Sequence, residues 1–80
     1  MKELRVSREG MTAQAATKAE RIFFLKMPEW GNDRPPILSM TYWQILGSVV
    51  CGVPYEQIEQ LPGRVAMELG NKTQMIFFAE

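Results

Sequence analysis

The polar and apolar positions of this chain fall into helical rhythm in its second decade. From Thr12 onward, Ala16, Ala19, Phe23 and Met27 stand at i, i+3, i+7 and i+11, the spacing of one helix face. Ala13, Ala15 and Ile22 widen that stripe, and alanine and lysine favour a helix by intrinsic propensity. Pro28 ends it, because proline drives the residue before it out of helical geometry. The run ERIFFLKM, residues 20–27, is also compatible with a strand by its β-branched and aromatic content.

A second helix is clearer still. Tyr42, Leu46, Val49 and Val50 form one face at i, i+4, i+7 and i+8, broadened by Trp43 and Ile45. Ser39 or Thr41 can cap it, and Thr41 with Gln44 has the spacing of a capping box. Gly47 and Ser48 are small enough for another helix to come close. Gly52 ends the helix where a left-handed residue is needed. Pro54 then opens a short amphipathic piece at its first position, with Ile58 and Leu61 on one side and Glu56, Gln57, Glu59 and Gln60 toward water.

Pro62-Gly63 interrupts the chain, and Val65, Leu69, Lys72 and Ile76 resume helical spacing. The spacing predicts a helix over 64–69 and a second piece over 72–78, with Gly70-Asn71 as a break or kink between them. Residues 1–10 read as an irregular arm, and residues 28–38, PEWGNDRPPIL, as a loop built on turn residues and a stiff Pro-Pro pair. Short strands at 2–6 and 73–78 remain compatible with the local pattern. The expected fold is mainly α: a single small domain over 1–80, with three to four helices and a helix-turn-helix-like corner at 41–61. The two Phe-Phe pairs, 23–24 and 77–78, are then expected to close the core from its two ends.

Eighty residues bury a modest core with little stability to spare, so docking on a partner or a second copy is a natural source of further buried area. The formal net charge is zero but unevenly spread. Residues 1–27 carry six basic and three acidic groups, and residues 28–80 carry three basic and six acidic ones. A chain without overall basicity lacks the electrostatic footprint of a duplex-binding protein. One cysteine permits no internal disulfide, which suits a reducing compartment. The polar N-terminal run MKELRVSREG does not read as a secretion signal, and no apolar run is long enough to span a membrane. A cytoplasmic protein without membrane association is expected.

The residue types that carry chemistry are sparse. There is no histidine, which removes the commonest general base and metal ligand. A lone cysteine makes no zinc site, and no glycine-rich phosphate cradle occurs. Glu56 and Glu59 are neighbours on one helix face, but a solvated face predicts the same residues. No catalysis, metal or cofactor is expected. The candidate contact residues are Trp30 on its loop, Tyr55, the Glu56/Glu59 face, and Phe77-Phe78 at the C-terminal end. The plainer reading of Trp30 is that it folds back to cap the core.

The corner fits a helix-turn-helix template when Gln44 is its first position. Ser48 is then the fifth, Gly52 the ninth, Val53 the tenth, Ile58 the fifteenth and Leu61 the eighteenth. The would-be recognition helix, however, offers no lysine or arginine and two carboxylates that would face phosphates. Nucleic acid is therefore not the expected partner. The C-terminal half resembles the small tail assembly chaperones of tailed bacteriophages. The resemblance lies in the apolar run Ile45 to Cys51, then GVPYEQIEQL, then Arg64 onward to Phe77-Phe78. It departs from the family pattern at Pro62-Gly63 and Gly70-Asn71, and the N-terminal third has no counterpart. The resemblance implies a non-catalytic protein that binds an aggregation-prone tail protein before assembly. Two other classes are compatible with size and composition: a small inhibitor of a host complex, such as an anti-defence protein, and a helix-turn-helix regulator.

Overall fold

The computed structural model describes residues 5–31 and 33–79. They form four α-helices: α1 (Ala13–Lys26), α2 (Met40–Cys51), α3 (Tyr55–Glu59) and α4 (Gly63–Phe78), with a single 3-10 turn at Pro36–Leu38 before α2. No strand occurs among the described residues. The fold is mainly α, and α2 is its centre: its most extensive packing is against α4 and α1, and it also meets α3 and the 3-10 turn.

Each helix end has a local cause. The Thr12 hydroxyl accepts the Ala15 N–H at 3.1 Å and caps α1. The helix runs through Lys26, with Met27 as its C-cap, so 20–26 is helix and not strand, because Ala19 and Phe23 on the predicted face are buried in the core. Ser39, not Thr41, caps α2: its hydroxyl accepts the Thr41 N–H at 3.2 Å. The 3-10 turn delivers the chain to Ser39 in extended geometry, which places Thr41 inside the helix and leaves no capping box with Gln44. Gly52 adopts the left-handed conformation, φ 76°. Its N–H reaches the Val49 carbonyl at 3.2 Å and the Val53 N–H reaches that of Ser48 at 3.1 Å, which closes α2. Pro54 stands one residue before α3, in the cap position, where its carbonyl accepts the Gln57 N–H. The expected corner between α2 and α3 therefore forms, with Ile58 buried beneath it.

The largest correction concerns α4. Gly70-Asn71 neither breaks nor bounds a helix, and residues 73–78 are helical and not a strand. The reason is tertiary. A Cβ on Gly70 would lie 2.7 Å from Met40 Sδ and 3.2 Å from Gln44 Cγ, so the glycine is where α2 crosses close to α4. Glycine inside a helix costs about 1 kcal/mol relative to alanine, and here that cost is offset by close packing. Gly47 does the same on the α2 side, since a Cβ there would meet Thr73 Oγ1 at 2.6 Å and Leu69 Cγ at 3.1 Å. The buried line of α4 is Leu69, Gly70 and Thr73, flanked by half-buried Ala66 and Ile76. Val65 and Lys72, on the predicted face, are exposed. Thr73 is buried because its hydroxyl donates to the Leu69 carbonyl at 2.7 Å, and Ser48 likewise donates to Ile45 at 2.6 Å.

The core has two centres. One gathers Ala19, Phe23, Tyr42, Trp43, Ile45 and Leu46 between α1 and α2. The other gathers Val6, Ile58 and Leu69, with Val50 and Tyr55 packed against both. Arg5 to Gly10 form no strand, but the arm is not detached: Val6 is buried, and the Cys51 thiol donates to the Arg5 carbonyl at 3.1 Å. Residues 2–4 of the expected N-terminal strand, and Asn32 of the loop, lie outside the described residues.

Candidate protein-binding site

The fold distributes the sequence-predicted contact residues over three places. Trp30 sits on the loop after α1, half-buried, with its ring edge-on to Phe23 at 5.4 Å between centroids. Its indole N–H donates to the Arg34 carbonyl at 3.1 Å, and the Arg34 guanidinium lies 4.1 Å from the ring centroid. The indole thus closes one end of the core and carries a cation on its outer side, a cation–π pairing of the ordinary kind.

Tyr55, Glu56 and Glu59 are brought together on α3, and Lys26 at the end of α1 joins them. The Lys26 Nζ is 3.4 Å from Glu59 Oε1 and 3.5 Å from Glu56 Oε1, and 5.8 Å from the Tyr55 ring centroid. The hydrogen bond to Glu59 is the main cause that raises the Lys26 ammonium above its ordinary range. Glu56 is held below the usual carboxylate range first by its own backbone N–H at the start of α3, then by Lys26. The Tyr55 phenol is pushed up by burial and further by the Glu59 charge. The acidic face of α3 is therefore matched by a cation of the same chain. As exposed ion pairs these contacts hold α3 in orientation more than they add stability.

Phe77 and Phe78 occupy the last turn of α4 and pack edge-on to each other, 5.2 Å between centroids, both against one buried indole. Trp43 is 5.2 Å from Phe77 and 5.6 Å from Phe78 between centroids, and its N–H donates to the Ile37 carbonyl at 2.9 Å. The phenylalanines do not seal the core as the sequence leads one to expect. Phe77 remains 41% and Phe78 58% exposed. The 3-10 turn that accepts the indole N–H carries Ile37 and Leu38, which are also exposed, Leu38 to 66%. Sequence reasoning missed these last two, because a Pro-Pro-Ile-Leu stretch reads as loop and carries no periodicity. The outcome is four exposed large apolar side chains on two segments, the 3-10 turn and the end of α4, each tied to the same buried ring.

The indole also ties this end to the other. Trp30, Phe23, Tyr42, Trp43 and the Phe77/Phe78 pair form a chain of edge-on or tilted ring contacts, with Phe24 on Phe23. Only Tyr55, of eight aromatics, stands outside it, so the exposed pair inherits its position from the core. No group of three or more metal-ligating side chains occurs among the described residues. No described helix is long and apolar enough to cross a membrane. No family model, no curated protein and no solved structure matches the chain.

Proposed function

We propose that this chain is a non-catalytic protein-binding module whose contact surface is formed by exposed Phe77 and Phe78 on Trp43, with exposed Ile37 and Leu38 of the adjoining turn. The observation that carries the reading is the exposure of Phe77 and Phe78 against one buried indole, whose N–H also holds the turn that exposes Ile37 and Leu38. Large apolar side chains gathered in this way mark interaction surfaces in small domains. Aromatic residues on a rigid backing lose little side-chain freedom on docking, which is why they dominate binding energy. The partner is an apolar protein surface. A role like that of a phage tail assembly chaperone, which holds an aggregation-prone tail protein, is the finer form of the proposal. It draws support from the GVPYEQIEQL corner and from methionines 67 and 75 left exposed on α4, since methionine adapts to irregular apolar partners.

DNA reading through α3 draws no support from the geometry. The helix has five residues, and its two carboxylates face outward beside Lys26. The test of the proposal is co-expression of the chain with the products of its neighbouring genes, followed by affinity purification. A partner held by the parent chain and lost with Phe78→Ser or Leu38→Ser, both folded by circular dichroism, supports it. A partner held equally by both variants sinks it.

A further inference from the structure

A second surface lies on another part of the molecule. A groove of about 460 Å³ runs between the outer side of α1 and the turn from Gly52 into α3. Ile22, Val49, Val53 and Tyr55 line it, each half-buried, and Leu25 stands on its edge 77% exposed. Lys18 lines the same groove and also borders a shallower depression with Arg21, one helical turn before Leu25. Neither Lys18 nor Arg21 makes an ion pair among the described residues. Lys26, the third cation of this stripe, is engaged by Glu56 and Glu59.

That last contact shows what the stripe accepts. Within this chain, α3 is an acidic amphipathic helix with carboxylates three residues apart at 56 and 59 and buried Ile58 beside them. It presents its carboxylates to the C-terminal cation of α1. Moving back along α1, the same alternation continues: Leu25 and Ile22 are apolar, then Arg21 and Lys18 are cationic, and no carboxylate among the described residues pairs with them. We infer that this groove receives an acidic amphipathic helix from a partner protein, its apolar side chains on Leu25, Ile22 and Val53 and its carboxylates on Lys18 and Arg21. Glu56 lines the opposite end, so the acidic end of the incoming helix lies toward Lys18 and away from α3. The charge match sets orientation and on-rate, and the apolar floor supplies burial. This surface is separate from the cluster around Trp43, and its test does not depend on that proposal.

The probe is a synthetic helical peptide with leucines and glutamates at the α3 spacing, titrated into the full-length ¹⁵N-labelled chain at low and at moderate salt. The controls are the same peptide with lysine for every glutamate, and a scrambled peptide of identical composition. The expected result is amide shifts confined to Lys18–Lys26 and Gly52–Glu56, with affinity that falls as salt rises. Lys18→Glu with Arg21→Glu, and separately Leu25→Ser, should each weaken binding at least tenfold without changing the helical spectrum, since all three side chains are exposed. Absence of shifts there, shifts centred on Phe77 and Phe78, equal binding of the lysine or scrambled peptide, or unchanged affinity in the charge-reversed variant would each overturn the inference.

Discussion

Replacement of Gly47 by alanine tests the packing on which the fold turns. In a free helix the change is favourable by about 1 kcal/mol, because alanine is the better helix former. In this molecule the new Cβ would stand 2.6 Å from Thr73 Oγ1 and 3.1–3.2 Å from Leu69 Cγ and Cδ1. Neither neighbour has room to move. Leu69 and Thr73 are both buried on the same face of α4, and the Thr73 hydroxyl is fixed on the Leu69 carbonyl. Overpacking of a filled core costs roughly 1–3 kcal/mol. Displacing a buried hydroxyl from its partner costs roughly 1–3 kcal/mol more. Set against the propensity gain, Gly47→Ala should destabilise by about 3 kcal/mol, which at this size is roughly 12–24 °C in Tm. Gly70→Ala is the internal control. There the nearest obstacle at 2.7 Å is the sulfur at the end of half-exposed Met40, which can swing aside, so the net change should be within about 0.5 kcal/mol of zero. Urea titration followed by circular dichroism gives both values, provided the slope m is unchanged. A double-mutant cycle with Thr73→Ala locates the cause, since removing the hydroxyl should recover part of the loss. A Gly47→Ala chain as stable as the parent, or strict additivity with Thr73→Ala, would refute the close approach of α2 and α4.

Gly52→Ala should cost about 1 kcal/mol although nothing lies within 4 Å of the added Cβ, because the penalty is backbone strain at φ 76°; thermal unfolding reads it, and a neutral result would mean the turn relaxes. Carboxyl titration by NMR should find Glu56 below the ordinary glutamate midpoint. Lys26→Met should move it only part of the way back, since its own backbone N–H is the larger cause. For such a depressed carboxylate the associated stability is present above the unfolded pKa and fades as pH falls through the folded one, so α3 should loosen in acid. Both tyrosines are raised mainly by burial. Their contribution is whole below the ordinary phenol pKa and is lost as pH rises through the folded values. Absorbance at alkaline pH should therefore show both phenols ionising later than free tyrosine, and an ordinary midpoint for Tyr42 would mean that its site is open to water.

Much of the architecture was legible in the residues for local reasons. The face Tyr42–Leu46–Val49–Val50 repeats at helical spacing, and Gly52 and Pro54 end one helix and begin another through backbone geometry alone. What escaped was set by distant partners. Gly70 reads as a breaker until Met40 and Gln44 are placed against it. Thr73 is polar by type, and it lies in the core because Gly47 of α2 packs against it while its own helix satisfies its hydroxyl. Val6 belongs to an arm without regular structure, yet it is buried against Ile58 and Leu69. The candidate site divides in the same way. Phe77 and Phe78 were identifiable as a pair, but the indole that positions them lies on another helix, and Leu38 carried no signal at all. Glu56 and Glu59 were read as an outward acidic face, whereas Lys26, thirty and thirty-three positions earlier, faces them. Pattern along a chain reports on neighbours in sequence, and these facts concern neighbours in space.

The chain of rings from Trp30 to Phe78 gives the molecule an optical reporter of its own. Trp43 is shielded from solvent yet touches both exposed phenylalanines, while Trp30 sits at the far end behind Arg34. A partner landing on Phe77 and Phe78 alters the asymmetric surroundings of a chromophore it never touches. Near-ultraviolet circular dichroism of the unlabelled chain should register that event through Trp43, with the Trp30 band as an unmoved reference.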